Sequence, residues 1–559
     1  MISKWDECMS ASFLILYLLF FLCFTQDSRS EIKKDEIEPK DFVSPKWVIE
    51  SGEQDFNLLV LGGGYSPSGN EVSLESNVKY LHRQKHKIGL SNFKIKTLFA
   101  DGLDPSRDIK YRDPSFTVPE TNLILAEIFG STRGIYNQYR NNHLNADGPS
   151  SIKEFDDWAK DLNSSSKQSS NLIYFTGHGG KGEKKTPNNT TAYLWNNYKF
   201  KVSEFTKKLD GLPANQSIIL VMVQCYSGGF AHYIFREGDE KKGFHPQIRA
   251  GFFATVHDRV AAGCTPDIRE ENYQEYSTHF WEALCGESRI GKKVQKPDFN
   301  GDGNTSLTEA HAYVIIHSNT IDIPIKTSDV FLRSFSSFDP PKEESHIAGL
   351  IKNAKDLLLG TDSNSSKRVV IQDEWLFRTD PISEILLAAS PESKAIIQAL
   401  AHKLSLQDEE LFKKADDKIK EIKKKREELG KVKKDKDEQK KKLKIKIKTR
   451  LLKEWPELAN TQHPKIDSLK HAVNSSKLIT LTNQDNEWSN YKKRSEESVK
   501  IENERFKLEK KQVLAMRLKH EIENVVLKAA LPRISSKKVV NRYSQIERLE
   551  KTTFSHPRE

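Results

Sequence analysis

Two reactive side chains stand out by where they fall. His178 closes the run Asn171-Leu172-Ile173-Tyr174-Phe175-Thr176-Gly177 and is followed by Gly179 and Gly180. Cys225 closes Ser217-Ile218-Ile219-Leu220-Val221-Met222-Val223-Gln224, and Tyr226-Ser227-Gly228-Gly229 follows it. An apolar, partly β-branched run that stops at a reactive group and glycine reads as a buried strand emptying into a tight loop. Side by side in a parallel sheet, two such strands bring His178 and Cys225 to one edge. That edge, at the carboxyl ends of the strands, is where open α/β sheets place their sites. A thiol beside an imidazole is a cysteine nucleophile with its base, because the imidazole lowers the thiol pKa or takes its proton in the attack. Gly179 adds a third part. A glycine there lets backbone N–H groups turn toward the reaction centre, and with the N–H of Cys225 it makes an oxyanion hole. A single buried His or Cys is ordinarily core packing; the pair, each at a strand end before a glycine turn, points to chemistry.

The elements that must position them follow from the pattern of apolar runs. Phe56–Leu61 reads as a strand ending in Gly62-Gly63-Gly64, Asn77–Lys85 as a helix and Phe93–Ala100 as a strand. Ser151–Leu162 and Lys201–Leu209 read as the helices before the His178 and Cys225 strands. Arg249–Val256 reads as a further strand and Tyr276–Leu284 as a helix. Strands alternating with helices predict an α/β fold, a mainly parallel sheet flanked by helices.

A second site is legible in Asp298-Phe299-Asn300-Gly301-Asp302-Gly303-Asn304-Thr305-Ser306-Leu307-Thr308-Glu309. Oxygen-bearing residues alternate as an EF-hand loop requires to wrap a hard cation, with glycine at the sharp turn. The expected ligands of Ca2+ are Asp298, Asn300, Asp302, Asn304, Ser306 and Glu309, the last closing the site with both oxygens. Thr308–Ile316 continues as the exit helix, but Gly286, Gly291 and Pro297 interrupt any entering helix. This is a solitary loop, expected to fix the edge of the domain.

The chain has 559 residues, 30% of them charged, with a net charge of +10. That length allows more than one domain. Ser12–Phe24 is a continuous apolar run behind Lys4, too short for a comfortable membrane span and fitting a secretory signal. Export, to the exterior, a periplasm or a membrane surface, is therefore expected, with residues 1–30 as signal and 31–46 as linker. With the signal removed, Cys225, Cys264 and Cys285 remain. An odd count leaves one thiol free; Cys264 and Cys285 could pair or stay reduced.

Residues 47–340 make up the expected catalytic domain and 341–380 a linker. Residues 381–545 read as an all-α basic region, a helical hairpin or coiled coil broken at Trp455-Pro456, with 546–559 as tail. Residues 411–450 hold 19 Lys/Arg against 8 Asp/Glu, a net of +11, so the basic balance belongs to this segment. Val499, Phe506 and Val513 hint at a heptad. A charge run is most often a solvated helix face; the alternatives are self-association and docking of an acidic polymer or partner. No aromatic interleaving marks a nucleic-acid site.

Tyr174-Phe175-Thr176-Gly177-His178-Gly179 and Gln224-Cys225-Tyr226-Ser227-Gly228 resemble the His and Cys motifs of the caspase-like clan of cysteine peptidases, which includes metacaspases and legumains. The resemblance covers about Trp47 to Pro340 and none of the helical tail. It implies a caspase-like sheet and peptide-bond hydrolysis through the Cys225–His178 dyad. It also implies a residue of the first strand's loop, here Asn70, beside the histidine or substrate. The specificity pocket would draw on the strand after Cys225, here the stretch from Thr255 to Asp267, with Asp258 and Asp267 as candidates. There are departures. Gly177 stands where legumain has Asp, and Gln224 lies next to the Cys where caspases place Gln one residue earlier. Neither family's preference at the cleaved residue carries over.

The leading expectation is an exported, calcium-binding cysteine endopeptidase acting on a peptide or protein. A transamidase or ligase would use the same acyl-enzyme but resolve it with an amine. A non-catalytic scaffold would act through the basic tail.

Overall fold

The computed structural model describes residues 55–164, 169–336, 375–460, 462–465 and 472–554. The Ser12–Phe24 run, the 31–46 linker and most of the 341–380 linker lie outside the described residues. Among the described residues, no helix is long and apolar enough to cross a membrane.

The strands are β1 (Asp55–Gly62), β2 (Lys94–Phe99), β3 (Ile109–Tyr111), β4 (Gln138–Arg140), β5 (Ser169–Thr176), β6 (Gly179–Gly180), β7 (Thr191–Leu194), β8 (Tyr198–Lys201), β9 (Ser217–Met222), β10 (Arg249–Phe253) and β11 (Ile325–Lys326). Six form the main sheet in the order β11-β10-β9-β5-β1-β2. All its pairings are parallel except β10 with β11. The α/β reading therefore holds. β5 and β9 are buried at every position, as strands covered on both faces must be.

The crossover helices show why. Helix Ile152–Asn163 starts at Ser151, whose side chain accepts the Glu154 N–H. It buries Phe155, Trp158 and Leu162, one stripe at helical spacing. Phe155 packs edge-on to Phe200 with ring centroids 5.0 Å apart. The strands β6, β7 and β8 form a small antiparallel sheet between the His178 turn and helix Val202–Leu209. These runs of two to four residues are too short to stand out as strands, although Tyr198-Lys199-Phe200-Lys201 alternates as a strand should.

The C-terminal region is all helical, as expected. Helices Leu411–Glu454 and Asn486–Ile534 pack antiparallel: Asp416 pairs with Lys519, Arg426 with Glu509 and Lys436 with Glu497. Four cations of the basic run, Arg426, Lys436, Lys446 and Arg450, meet acids of the return helix or its cap, while others pair within their own helix, as Lys425 with Glu421 and Lys433 with Asp437. Of the heptad residues only Val513 is buried; Val499 and Phe506 are exposed, so the packing seam lies elsewhere. The apolar run 381–404 divides into helices Ile382–Ala388 and Pro391–Leu404, because Ser390 caps the second and Pro391 suits its first turn. Ile315 and Ile316 of helix Leu307–His317 share one apolar core with Ile397, Leu400, Leu518 and Ile522. The described residues belong to one compact unit.

Candidate functional site

The register of the sheet decides what meets at its edge. Tyr174 of β5 lies opposite Val221 of β9, and Phe175 opposite Met222. The two strands therefore end together, and His178 and Cys225 leave the sheet at the same carboxyl edge. The turns touch backbone to backbone. A Cβ added at Gly179 would stand 1.9 Å from the Cys225 carbonyl oxygen. Gly177 is equally confined: a Cβ there would meet the Gly63 carbonyl at 2.8 Å, which leaves no room for the legumain-type Asp.

His178 is held through one ring nitrogen by the loop after β1. Its Nε2 is 2.7 Å from the Gly69 carbonyl and 2.9 Å from Glu71 Oε2. Glu71 is buried at the start of helix Val72–Ile88, and its other oxygen pairs with Lys110 at 2.7 Å. Burial alone would raise the Glu71 pKa, but His178 and Lys110 outweigh it and hold the carboxylate below its ordinary range. The other ring nitrogen, Nδ1, lies 3.7 Å from Cys264 Sγ. Burial disfavours the imidazolium; the hydrogen bonds and charges of Cys264 and Glu71 overcome this and raise the His178 pKa to about 11.

Cys225 is half-buried and sits against a different partner. The Ala261 N–H donates to its sulfur at 3.3 Å. Burial raises the Cys225 pKa, while the Ala261 N–H and the His178 charge pull it down. His178 is thus an electrostatic neighbour of Cys225, and the thiol hydrogen-bonded to its ring is that of Cys264. Tyr226, next in the chain, is held at φ +61°, and its N–H donates to the Arg259 carbonyl at 2.8 Å. Left-handed geometry at a tyrosine is a local strain of the kind found at functional turns.

Both expected oxyanion donors are open. Tyr193 donates to the His178 carbonyl, so Gly179 occupies the non-hydrogen-bonded position opposite Ala192 and its N–H stays out of the ladder. Among the described residues, the Cys225 N–H has no hydrogen-bond partner.

The donor atoms of Glu71, His178 and Cys264 lie within 4.8 Å of one another. Oxygen, nitrogen and sulfur together are a donor set that suits zinc. Cys264 and Cys285 do not pair: Cys285 is buried elsewhere, its thiol donating to the Glu287 carbonyl at 3.0 Å.

Asn70 is fully buried beside the histidine loop and spends its side chain internally. Its Oδ1 accepts the Gly64 N–H at 2.9 Å and its Nδ2 donates to Asp108 at 2.8 Å. It shapes the loop whose neighbours, the Gly69 carbonyl and Glu71, hold His178. Asp258 is exposed. Asp267 is tied to Arg269 at 2.7 Å, and that pairing holds its pKa well below the usual carboxylate range.

In the 298–309 loop, Asp298 accepts the N–H groups of Asp302 and Gly303, each at 3.0 Å. Asn300 and Asp302 turn the rim by accepting the next N–H groups, and Gly303 has φ +82°. Asp298, Asn300, Asp302 and Asn304 are exposed, whereas Ser306 and Glu309 are buried beneath them. Glu309 is engaged twice: one oxygen accepts the Phe299 N–H at 2.7 Å, and the other joins a capping box with Ser306. To bind Ca2+ with both oxygens, Glu309 would have to leave that cap.

Sequence reasoning missed Glu71, the Gly69 carbonyl and the position of Cys264. The signal for the first two was adjacency to Asn70. None existed for Cys264, because contact across a long loop leaves no local pattern.

No family model matches this chain, and no curated protein does. Among solved structures it is similar in part to the crystal structure of protein GSU0716 from Geobacter sulfurreducens, at 9% identity and a TM-score of 0.27 over 47% of this chain and 88% of that one.

Proposed function

We propose that the chain is a cysteine-type peptide hydrolase of the caspase-like kind, exported and calcium-binding, with Cys225 as nucleophile and His178 as its proton partner. The observation that carries this reading is the shared end of β5 and β9, with His178 fixed through Nε2 by Glu71 and the Gly69 carbonyl. A histidine so anchored stays protonated near neutral pH and stabilises a thiolate beside it. The Cys225 thiolate attacks the peptide carbonyl carbon and the new C–S bond forms. The carbonyl oxygen becomes an oxyanion, received by the N–H groups of Cys225 and Gly179. His178 gives its proton to the leaving amine as the C–N bond breaks, then takes one from the water that hydrolyses the thioester. The apolar Ser12–Phe24 run supports export, and the 298–309 loop supports Ca2+.

One observation favours a second assignment of the nucleophile. Cys264, not Cys225, is hydrogen-bonded to Nδ1. Incubation of the purified chain with a diverse peptide library, beside Cys225→Ala and Cys264→Ala, decides between them. Cleavage lost in Cys225→Ala is the expected result; cleavage lost only in Cys264→Ala moves the nucleophile. An added amine that enters the product would make the enzyme a transamidase. A folded chain that cleaves nothing with or without calcium would sink the enzymatic reading.

A further inference from the structure

We infer that the return helix Asn486–Ile534 holds the loop that presents the Ala261 N–H to Cys225, with Arg517 and Glu509 as its positioning residues. The inference deepens the reading of Cys225 as nucleophile and rests on it for any catalytic consequence.

Two arms reach from the helix. The first is Arg517, which is 2% exposed. It donates to the carbonyls of Asp322 at 2.7 Å, Ile315 at 3.0 Å and Ser318 at 2.9 Å, and to Thr320 Oγ1 at 3.1 Å. A planar guanidinium with four donors engaged this way fixes the turn between helix Leu307–His317 and β11. That turn carries Asp322, also buried, whose Oδ1 accepts the Ala262 N–H at 2.6 Å. The preceding N–H, of Ala261, is the one on the Cys225 sulfur. The second arm is Glu509. One oxygen takes Arg259 of the same loop at 3.3 Å, and the other takes Arg426 of the antiparallel helix at 2.7 Å. The Arg259 carbonyl in turn holds the Tyr226 N–H. Glu509 and Arg517 are about 12 Å apart along one rigid helix, enough to grip both ends of the short loop.

The electrostatics run the same way. The titratable groups acting on Cys225 are His178 from the β5–β6 turn, Cys264 from the loop, and Asp322 from the turn before β11. Burial raises the Cys225 pKa, the Ala261 N–H lowers it, and the Asp322 charge raises it. Arg517 opposes that charge. Loosening either arm weakens the Ala261 donor, and loosening Arg517 also uncovers Asp322. Each change makes the Cys225 thiolate harder to form.

The test is the pH dependence of Cys225 alkylation by iodoacetamide in the full chain, resolved from Cys264 and Cys285 by peptide mass mapping. Glu509→Ala and Arg517→Lys are compared with the unaltered chain after a check of thermal unfolding. The alkylation midpoint is expected to move upward by about half to one pH unit, since the hydrogen bond to the sulfur anion is weakened rather than lost. A midpoint unchanged in the folded variants overturns the inference. Should Arg517→Lys fail to fold, the half-exposed Glu509→Ala alone decides. The readout needs no substrate: a shifted midpoint in a chain that cleaves no peptide supports the clasp while the peptidase reading fails, and cleavage with an unshifted midpoint does the reverse.

Discussion

Glu71 and His178 form a part-buried ion pair, Oε2 to Nε2 at 2.9 Å, at the edge of the sheet where β5 ends. The pair makes a pH-dependent prediction with a defined sign. His178 titrates near 6.5 when unfolded and at about 11 here, so its contribution to stability is complete below about 6.5 and is lost as pH rises through 11. Glu71 is depressed below 4.5, so its contribution is present above 4.5 and lost in acid. Glu71→Gln is expected to remove the Glu71 share of this dependence, leaving that of Cys264, and to lower peptide cleavage by about 10²-fold, the low end of general acid–base catalysis. Thermal midpoints at pH 5, 7 and 9, beside cleavage rates, check both. Parallel curves for the two proteins would show that Glu71 does not set the His178 charge.

Gly179→Ala probes the contact between the two turns. The added methyl would sit 1.9 Å from the Cys225 carbonyl oxygen, closer than any real contact, and that oxygen belongs to backbone rather than a yielding side chain. The turns must part, at a cost of about 1–3 kcal/mol by analogy with overpacked cores. A urea midpoint within error of the unaltered chain would mean that the turns are looser than described.

The sheet was legible because its strands are pure apolar runs ending in glycine, as β5 and β9 show. The helical hairpin was legible for a related reason: the Lys-rich run holds no proline and a single glycine, Gly430, before Trp455-Pro456. The hydrogen bonds of the site were less so. His178 could be named from its strand, but Glu71 reaches it from a loop 107 positions earlier and Cys264 from one 86 positions later. Such contacts are set by how crossovers pack, which no local period records. Arg517 was hidden for another reason. On the sequence it is one cation among many in a charged helix, and only the carbonyls of the 315–322 turn mark it out.

Calcium is expected to raise the thermal midpoint by acting on the 298–309 loop. The exposed rim residues Asp298 and Asp302 carry charge that the loop's own N–H groups only partly satisfy. A cation there would draw Glu309 from its capping box and tie the rim to helix Leu307–His317. At a hundredfold excess over the dissociation constant the gain is about 2.7 kcal/mol. Asp298→Ala should abolish the difference between calcium and EGTA. Identical melting in both, for the unaltered chain, would remove calcium from the account.

Glu550 supplies the last prediction, and it concerns how the C-terminal helix Lys537–Glu550 is fastened to the sheet half. Its carboxylate accepts the Ser328 N–H at 2.8 Å and the Ser328 hydroxyl at 2.6 Å, with Lys326 at 3.6 Å. Burial raises the Glu550 pKa to about 7, against the pull of Lys326. The folded chain therefore holds this proton more tightly than the unfolded one, whose carboxyl titrates near 4.5. Below 4.5 the two states are protonated alike and the group's contribution is fully present; between 4.5 and 7 that contribution is lost as pH rises. Glu550→Gln keeps an acceptor for Ser328 and cannot ionise. It should flatten the fall in stability across that window while leaving behaviour below pH 4.5 unchanged. Urea midpoints at half-unit steps from pH 4 to 8 measure the difference. An equal slope in both proteins would mean that Lys326 compensates the buried charge completely and that the fastening is indifferent to pH.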